Sequence, residues 1–362
     1  MENICLSMYC GLFLFKKGSD FMFSVFDINV KYELLNSMLG EYLENITYSN
    51  NVNIIIDIHD VLSKLFKMEI DVTDPALFIE EFTSNIISII SHYRRFFFNK
   101  GKYTTFYFLY NEKVPKPFVK VYPNYCRHFE EKYLSGNYRD YIKQGIKNFR
   151  NICEYIPHVK YINTEKFGPF VYMKEIIDNT SIYNLNIILS NNINYGALLN
   201  NHSIMINIRN DFSEVLTNDN IVRYLTNNQY SFSNELIPVL VSLIGSKKVS
   251  VDGIKGIGKM KAGKIINDCI HAGELQNVAY FEPPFKFMKH PIIQENLTDL
   301  EKKYFLFYPL ELLFSNQNTI ENEITSVELY ATIEDFYQLN DVIFSHFSLN
   351  VQKLLAGELQ TK

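Results

Sequence analysis

Short apolar segments alternate with longer helical segments through much of this chain, and that alternation constrains the fold more than any other feature. The first apolar segment, 52–58, is a nearly continuous β-branched run of the kind found in strands buried on both faces. Further strands are predicted at 104–110, 159–162, 186–190 and 203–208, and helices at 60–66, 75–98, 134–156 and 168–178. This order predicts an α/β fold, a parallel sheet with helices on both faces, followed by a helical region from about residue 218.

A carboxylate stands where the first predicted strand ends. In sheets of this kind the functional site lies outside the carboxyl ends of the strands. Asp57 is therefore a candidate metal ligand. An N-cap or turn carboxylate is an equally good interpretation of the same position.

The segment 253–266 carries the most specific local pattern. Gly256 and Gly258 flank Ile257, and a predicted helix follows with small or apolar residues at 262, 265 and 266. Glycines without a Cβ let a ligand approach the backbone closely, and a helix N-terminus presents unpaired N–H groups that suit a phosphate. The pattern predicts a helix–hairpin–helix, a module that grips the DNA backbone without reading bases. The alternative is an ordinary glycine-punctuated loop between two core helices.

Charge supports the first interpretation. Six lysines and a single acid, Asp252, lie between Lys247 and Lys264, although the whole chain has a formal net charge of -5. A local basic surface on an acidic protein indicates a phosphate-bearing partner. The predicted DNA contacts of this segment are Lys255, Gly256, Ile257, Gly258, Lys259, Lys261 and Lys264.

A second basic segment, 113–133, interleaves lysine and arginine with tyrosine. Tyr125 and Arg127 are its predicted DNA contacts, because rings stack on bases and cations bind phosphates of a single strand. A solvated helix face is the alternative.

Composition bounds the class of protein. The chain has 362 residues, 47% hydrophobic and 21% charged, as expected for a soluble globular protein. Its five cysteines show no metal-ligand spacing, which favours a reducing, cytoplasmic location and argues against structural zinc.

The apolar run 4–15 is too short to span a bilayer, so no membrane association is expected. That run is a strand, or lies upstream of a later start such as Met22 or Met38. The absence of Trp and the abundance of Asn, Ile, Lys, Tyr and Phe fit an AT-rich genome, such as many phages have.

Asp57 after a strand, a Tyr-Pro-x-Tyr-x-Arg stretch at 122–127 and the glycine–lysine segment occur in the order seen in one nuclease family. Together they resemble the phage 5′ nucleases, which include flap endonucleases, the phage RNase H type and the 5′–3′ exonuclease of DNA polymerase I. The resemblance implies a PIN-like domain at 51–215, after an N-terminal extension at 1–50. A helical DNA-binding region and tail would occupy 216–362. It also implies DNA with branches, nicks or 5′ flaps as the partner.

The same resemblance implies a carboxylate pocket that holds two divalent cations, Mg²⁺ or Mn²⁺, over the scissile phosphate. A potassium ion at the hairpin is a further expectation. Asp57 and Glu165 match the family's acids and are the predicted residual catalytic and metal-binding residues. The other acid positions are replaced here, by Asn111, Phe167, Gly168, Asn192, Asn194, Ser246 and Val249.

Two carboxylates hold paired divalent cations poorly, so the sequence predicts a nuclease scaffold with a decayed metal site. The alternative is that the alignment is shifted and nearby acids serve instead. The candidates are Asp60, Glu112, Asp178, Asp211, Asp219 and Asp252.

Three functions follow. The first is a catalytically impaired DNA-binding protein of phage replication or repair. The second is an active 5′–3′ exonuclease or flap endonuclease with relocated ligands. The third is a replisome or transcription subunit that binds a protein partner, with the aromatic segment 304–308 either forming that surface or completing the core.

Overall fold

The computed structural model describes residues 51–67, 75–127, 137–153, 158–181, 183–208, 213–275 and 282–325, together with Leu39 and Ile156. The predicted extension at 1–50, apart from Leu39, lies outside the described residues. So do Asp211 and the tail beyond 325.

Six strands form one sheet. They are β1 (Asn51–Asp57), β2 (Tyr103–Tyr110), β3 (Val159–Asn163), β4 (Leu185–Leu189), β5 (Ser203–Ile208) and β6 (Ser213–Leu216). Their order across the sheet is β3-β2-β1-β4-β5-β6. The first five are parallel, as predicted, whereas β6 runs antiparallel to β5. The expectation of a purely parallel sheet is corrected at this edge strand.

The parallel strands are buried on both faces, which is why the central ones are apolar runs without polar alternation. In β1, every residue after Asn51 is buried. Alternate residues belong to opposite cores: Ile54 and Ile56 face one, and Ile55 faces the other.

Two long helices cover the first face. These are α2 (Pro75–Phe98) and α4 (Asn137–Cys153); two shorter helices, α1 (Ile58–Lys67) and α3 (Lys116–Val121), follow β1 and β2 at their carboxyl ends. Apolar residues of α4 recur every three or four positions at Ile142, Ile146 and Phe149, so one face of the helix is buried. The predicted start of α2 at Pro75 and its end at 98 are confirmed.

The second face is covered by α5 (Pro169–Asp178) and by the helical region. That region contains α6 (Ile221–Leu225), α7 (Ile237–Ile244), α8 (Lys259–His271), α9 (Pro291–Glu295), α10 (Leu297–Phe307) and α11 (Leu310–Thr325). The core on this side includes residues of the sheet and of the helical region, so it runs across the proposed boundary at 215/216, and that boundary stays a prediction. Tyr304, Leu306, Phe307 and Tyr308 are buried there, so the aromatic segment completes the core.

A short antiparallel hairpin separates α7 from α8. Its strands are β7 (Gly245–Ser246) and β8 (Val251–Asp252), joined by a 3₁₀ turn at Lys247–Val249. Among the described residues, no helix is both long enough and apolar enough to cross a membrane.

Candidate functional site

Asp57 ends β1 at the carboxyl edge of the sheet and is buried. Its Oδ1 accepts the backbone N–H of His59 at 3.0 Å, two residues into α1, which is the geometry of a helix N-cap. Its Oδ2 accepts the hydroxyl of Tyr195 at 2.7 Å. The N-cap interpretation therefore describes its contacts, and a metal-binding role stays a prediction.

A second carboxylate lies in the same pocket. Asp60, in the first turn of α1, accepts a hydrogen bond from the Ser190 hydroxyl at the end of β4. Its other oxygen is ion-paired with the ammonium of Lys248, from the 3₁₀ turn of the hairpin. The side chain of Asp60 is 11% exposed and that of Lys248 is 31% exposed. Burial lowers the pKa of Lys248, but the carboxylates of Asp60 and Asp57 outweigh that effect and leave the pKa above its usual value.

Two tyrosines border Asp57. Burial, reinforced by the Asp57 charge, holds the pKa of the Tyr195 hydroxyl well above its usual value. Burial, Cys126 and Asp57 do the same for the pKa of Tyr125. The ring of Tyr125 packs edge-on against Phe118 at 5.2 Å, so it lines the pocket wall instead of standing free for base stacking.

Two asparagines at positions where the resemblance expects acids donate hydrogen bonds from their side-chain amide groups. Asn111 donates from Nδ2 to the Lys113 carbonyl at 3.1 Å. Asn194, which is buried, donates from Nδ2 to the Phe307 carbonyl at the end of α10, at 2.6 Å. An ionised aspartate has no hydrogen to donate in either place.

Asn192 differs from these two. Its Oδ1 accepts the backbone N–H of Asn194 at 3.3 Å and caps the short 3₁₀ helix Ile193–Leu198. An aspartate would accept that bond equally well.

The other positions where the resemblance expects acids lie in packed or hydrogen-bonded parts of the structure. Gly168 has φ of 81° and precedes α5, and a Cβ there would lie 2.8 Å from the ring of Phe118. Phe167 packs near Tyr172, with ring centroids 6.2 Å apart. Ser246 belongs to β7, and the Val249 carbonyl accepts the backbone N–H of Cys126 at 2.8 Å. That bond joins the 122–127 segment to the hairpin.

Glu165 follows β3, and β2 lies between β3 and β1 in the sheet. Adjacent strands are about 4.8 Å apart. The end of β3, just before Glu165, and the end of β1, at Asp57, are therefore separated by roughly 10 Å. The structure does not bring Glu165 into contact with Asp57, and its catalytic role stays a prediction.

Of the alternative acids that the structure describes, a set that leaves out Asp211, only Asp60 is brought into the pocket. Glu112 is ion-paired with Lys143 at 2.9 Å, and Asp178 is paired with Lys174 within α5. Asp219 and Asp252 are exposed.

The donor set does not fit a pair of divalent cations. Within the described ranges, no three His, Cys, Asp or Glu side chains form a group that could hold a metal ion. Both pocket carboxylates already accept protein donors, and one is neutralised by a lysine. Two divalent cations need several free anionic oxygens.

The glycine turn has the geometry predicted for it. Gly256 has φ of 78°, and the Ile257 N–H donates to the Ile254 carbonyl at 3.0 Å, closing a turn. A Cβ at Gly256 or at Gly258 would meet nothing within 4 Å, so the space beside both is open. Ile257 is buried and anchors the turn in the core.

Helix α8 begins directly after this turn, and no side chain caps its N-terminus. Its apolar face, with Ala262, Ile265 and Ile266, is buried. The lysines predicted as DNA contacts are all exposed: Lys255, Lys259, Lys261 and Lys264. Arg127 is exposed as well.

Sequence reasoning missed Tyr195, Ser190 and Lys248 as pocket residues. Lys248 had one available signal, since it lies between two positions, Ser246 and Val249, where the resemblance expects acids. The other two had none.

A mostly parallel sheet flanked by helices, with a helical region packed on one face, is the PIN-like fold of flap endonucleases, as the resemblance implied. No protein-family profile matches this chain, and no curated protein matches its sequence.

Solved structures with this fold come from bacteriophage T5. The T5 5′-exonuclease with bound zinc ions has a TM-score of 0.54 and 14% identity, over 76% of this chain and 98% of that one. A T5 protein cocrystallised with metal ions has a TM-score of 0.51 and 15% identity, over 76% and 98%. A T5 flap endonuclease pseudo-enzyme in a product complex with DNA and metal ions has a TM-score of 0.51 and 14% identity, over 76% and 97%. At these identities the likeness establishes the fold.

Proposed function

We propose that this chain is a DNA-binding protein of the 5′-nuclease fold that acts on branched or 5′ single-stranded DNA in phage replication or repair. We propose further that its metal-dependent cleavage is impaired. One observation carries the proposal: the glycine turn is exposed and surrounded by lysines, whereas amides occupy expected acid positions and Lys248 is ion-paired with the pocket carboxylate of Asp60.

The DNA-binding half of the proposal rests on the turn and on helix α8. Gly256 and Gly258 leave open space beside the backbone, and the uncapped helix N-terminus offers N–H groups to a phosphate. Exposed lysines around that point add favourable charge. We therefore interpret α7, the hairpin and α8 as a helix–hairpin–helix that binds the duplex backbone. A potassium ion at the turn stays a prediction.

Of the two DNA contacts that the sequence predicts in the 122–127 segment, the proposal keeps one. Arg127 is exposed and is proposed as a phosphate contact. Tyr125 is proposed as a wall of the pocket, because its ring packs on Phe118.

The impaired-cleavage half rests on the donor set. Mg²⁺ and Mn²⁺ need oxygen ligands with charge, and a neutral amide supplies none. Asn111 and Asn194 moreover point their amide donors at backbone carbonyls, so these side chains are committed to structural bonds.

The proposal is tested by fluorescence anisotropy on 5′-flap and nicked DNA across a salt series in EDTA. Each phosphate contact contributes about 0.9 to the slope of log affinity against log salt, so we expect a slope of about -2 to -5. A double Lys255→Ala/Lys261→Ala variant should bind more weakly and reduce that slope by about 1 to 2. Lys302→Ala, an exposed lysine outside the hairpin, is the matched control. Binding without salt dependence, or an equal loss in the control, would contradict the proposal.

A second function, an active nuclease, is favoured by one observation: Asp57 and Asp60 lie near the same ammonium at the carboxyl edge. Release of mononucleotides or short flaps that depends on Mg²⁺ or Mn²⁺ and disappears in Asp57→Ala would establish this function. A replisome partner and a cytoplasmic location complete the first proposal, and co-purification with a polymerase would test the partner.

A further inference from the structure

The 3₁₀ turn of the hairpin places two adjacent lysines in opposite surroundings. Lys247 is exposed, and Lys248 folds back into the pocket at the carboxyl edge of the sheet. The ammonium of Lys248 donates to Asp60, a residue 188 positions earlier in the chain. The contact therefore joins the hairpin turn to the first helix after β1.

The charges around this ammonium decide what the pocket can hold. Asp57 and Asp60 both raise the pKa of Lys248, so both carboxylates face it. Ser190 donates to the second oxygen of Asp60, and Tyr195 donates to Asp57. A divalent cation at Asp60 would have to displace the lysine, because two cations repel each other at contact distance.

The same contact bears on the hairpin. Strands β7 and β8 have two residues each, so few ladder hydrogen bonds hold the hairpin together. The ion pair of Lys248 links the hairpin to the sheet's carboxyl edge. The 122–127 segment is linked to the hairpin by the bond from the Cys126 N–H to the Val249 carbonyl and by a bond from the Asp252 N–H to the Tyr122 hydroxyl. Removing one partner of a partly buried, hydrogen-bonded ion pair weakens such a junction, because the other charge is left without compensation.

We propose that Lys248 is a built-in cation: it neutralises Asp60 in place of a metal ion, keeps divalent metal out of the pocket, and fastens the hairpin to the sheet. The inference rests on the proposed function, since it names the group that stands where a cation would be needed for cleavage. It concerns the protein without DNA, so its test can fail while DNA binding holds.

The first experiment removes the charge and keeps the length of the side chain. Lys248→Met is compared with Lys247→Met, which removes a neighbouring exposed charge. Mn²⁺ binding is measured by electron paramagnetic resonance and by thermal melting, in DNA-free protein. We expect Lys248→Met to gain one Mn²⁺ site and its Tm to rise by about 2 °C at tenfold excess over Kd. Wild type and Lys247→Met should show neither change. Adding Asp60→Asn to Lys248→Met should abolish the gained site.

Amide hydrogen exchange measures whether Lys248 holds the hairpin against the sheet. Exchange at 245–252 should be about tenfold faster in Lys248→Met than in Lys247→Met, because the junction opens more easily. Equal exchange rates in the two variants would refute the fastening role.

Wild-type protein provides a test that does not depend on any variant folding. We expect no stoichiometric Mn²⁺ site in it at submillimolar Mn²⁺. A stoichiometric Mn²⁺ site in the wild-type protein at that concentration would overturn the proposal, since Lys248 would not be excluding metal. Failure of Lys248→Met to gain a site would overturn it as well.

Discussion

The pocket at the carboxyl edge and the glycine turn that follows the hairpin differ in whether their polar groups already have partners within the protein. In the pocket, Asp57 and Asp60 accept bonds from protein donors, and the amide nitrogen of Asn194 donates to the Phe307 carbonyl. At the turn, the space beside Gly256 and Gly258 is open and the helix N-terminus is uncapped. A region whose polar groups are satisfied internally supports the fold. A region whose groups point outward supports binding.

The largest expected effect tests whether the pocket is structural. Asn194→Asp should destabilise the fold by about 2–4 kcal/mol, because it replaces a donor 2.6 Å from the Phe307 carbonyl by a buried carboxylate. Burial and the carbonyl raise the folded-state pKa of the new carboxyl above about 4, its unfolded value. The deficit should therefore be small in acid and should grow as pH rises through that range.

Asn192→Asp is the matched control for this prediction, since Asn192 only accepts a bond. It should change stability by less than about 0.5 kcal/mol. The measurement is chemical denaturation of both variants across pH. Equal stability of the two variants would show that the amide of Asn194 does not stabilise the fold.

Substitutions at the two glycines of the turn have smaller expected effects, and they distinguish a change in stability from a change in DNA affinity. Gly256→Ala forces a side chain into φ of 78° and should cost about 1 kcal/mol of stability. Gly258 has φ of -96°, so Gly258→Ala should leave the melting temperature unchanged. Both substitutions put a methyl group in the open space, and both should weaken flap-DNA binding. If Gly258→Ala binds as tightly as wild type, DNA does not approach the backbone there.

The smallest effect concerns Glu112, the acid once considered as a substitute ligand. Its partner Lys143 is 41% exposed, so Lys143→Ala should cost less than about 0.5 kcal/mol. Because Glu112 lies outside the pocket cluster and keeps Arg139 at 3.9 Å, the substitution should create no Mn²⁺ site. A new site detected by paramagnetic resonance would bring Glu112 back as a ligand.

The sequence predicted the elements well where local chemistry decides them. The apolar runs of β1 and β4 and the Pro75 start of α2 are examples. Strand β6 was missed because its four residues, Ser213–Leu216, are too few to show a period. A turn at Gly256 was predicted because glycine has no Cβ, and the structure adds a positive φ that was not predicted.

The pocket was less predictable, because its chemistry depends on contacts distant in sequence. The pairing of Lys248 with Asp60 and the bond of Asn194 to Phe307 cross the chain by 188 and 113 positions. A missing carboxylate is visible in the sequence. The new partner of the residue that replaced it is visible only in three dimensions.

The hydrogen bond from Asn194 to the end of α10 has an evolutionary consequence. Codons for asparagine and aspartate are neighbours in the genetic code, so mutation would readily regenerate an acid at this position. The regenerated acid would meet a carbonyl that has come to rely on an amide. Under the proposed impairment of cleavage, a descendant that regained an acid here would also need new packing around the end of α10.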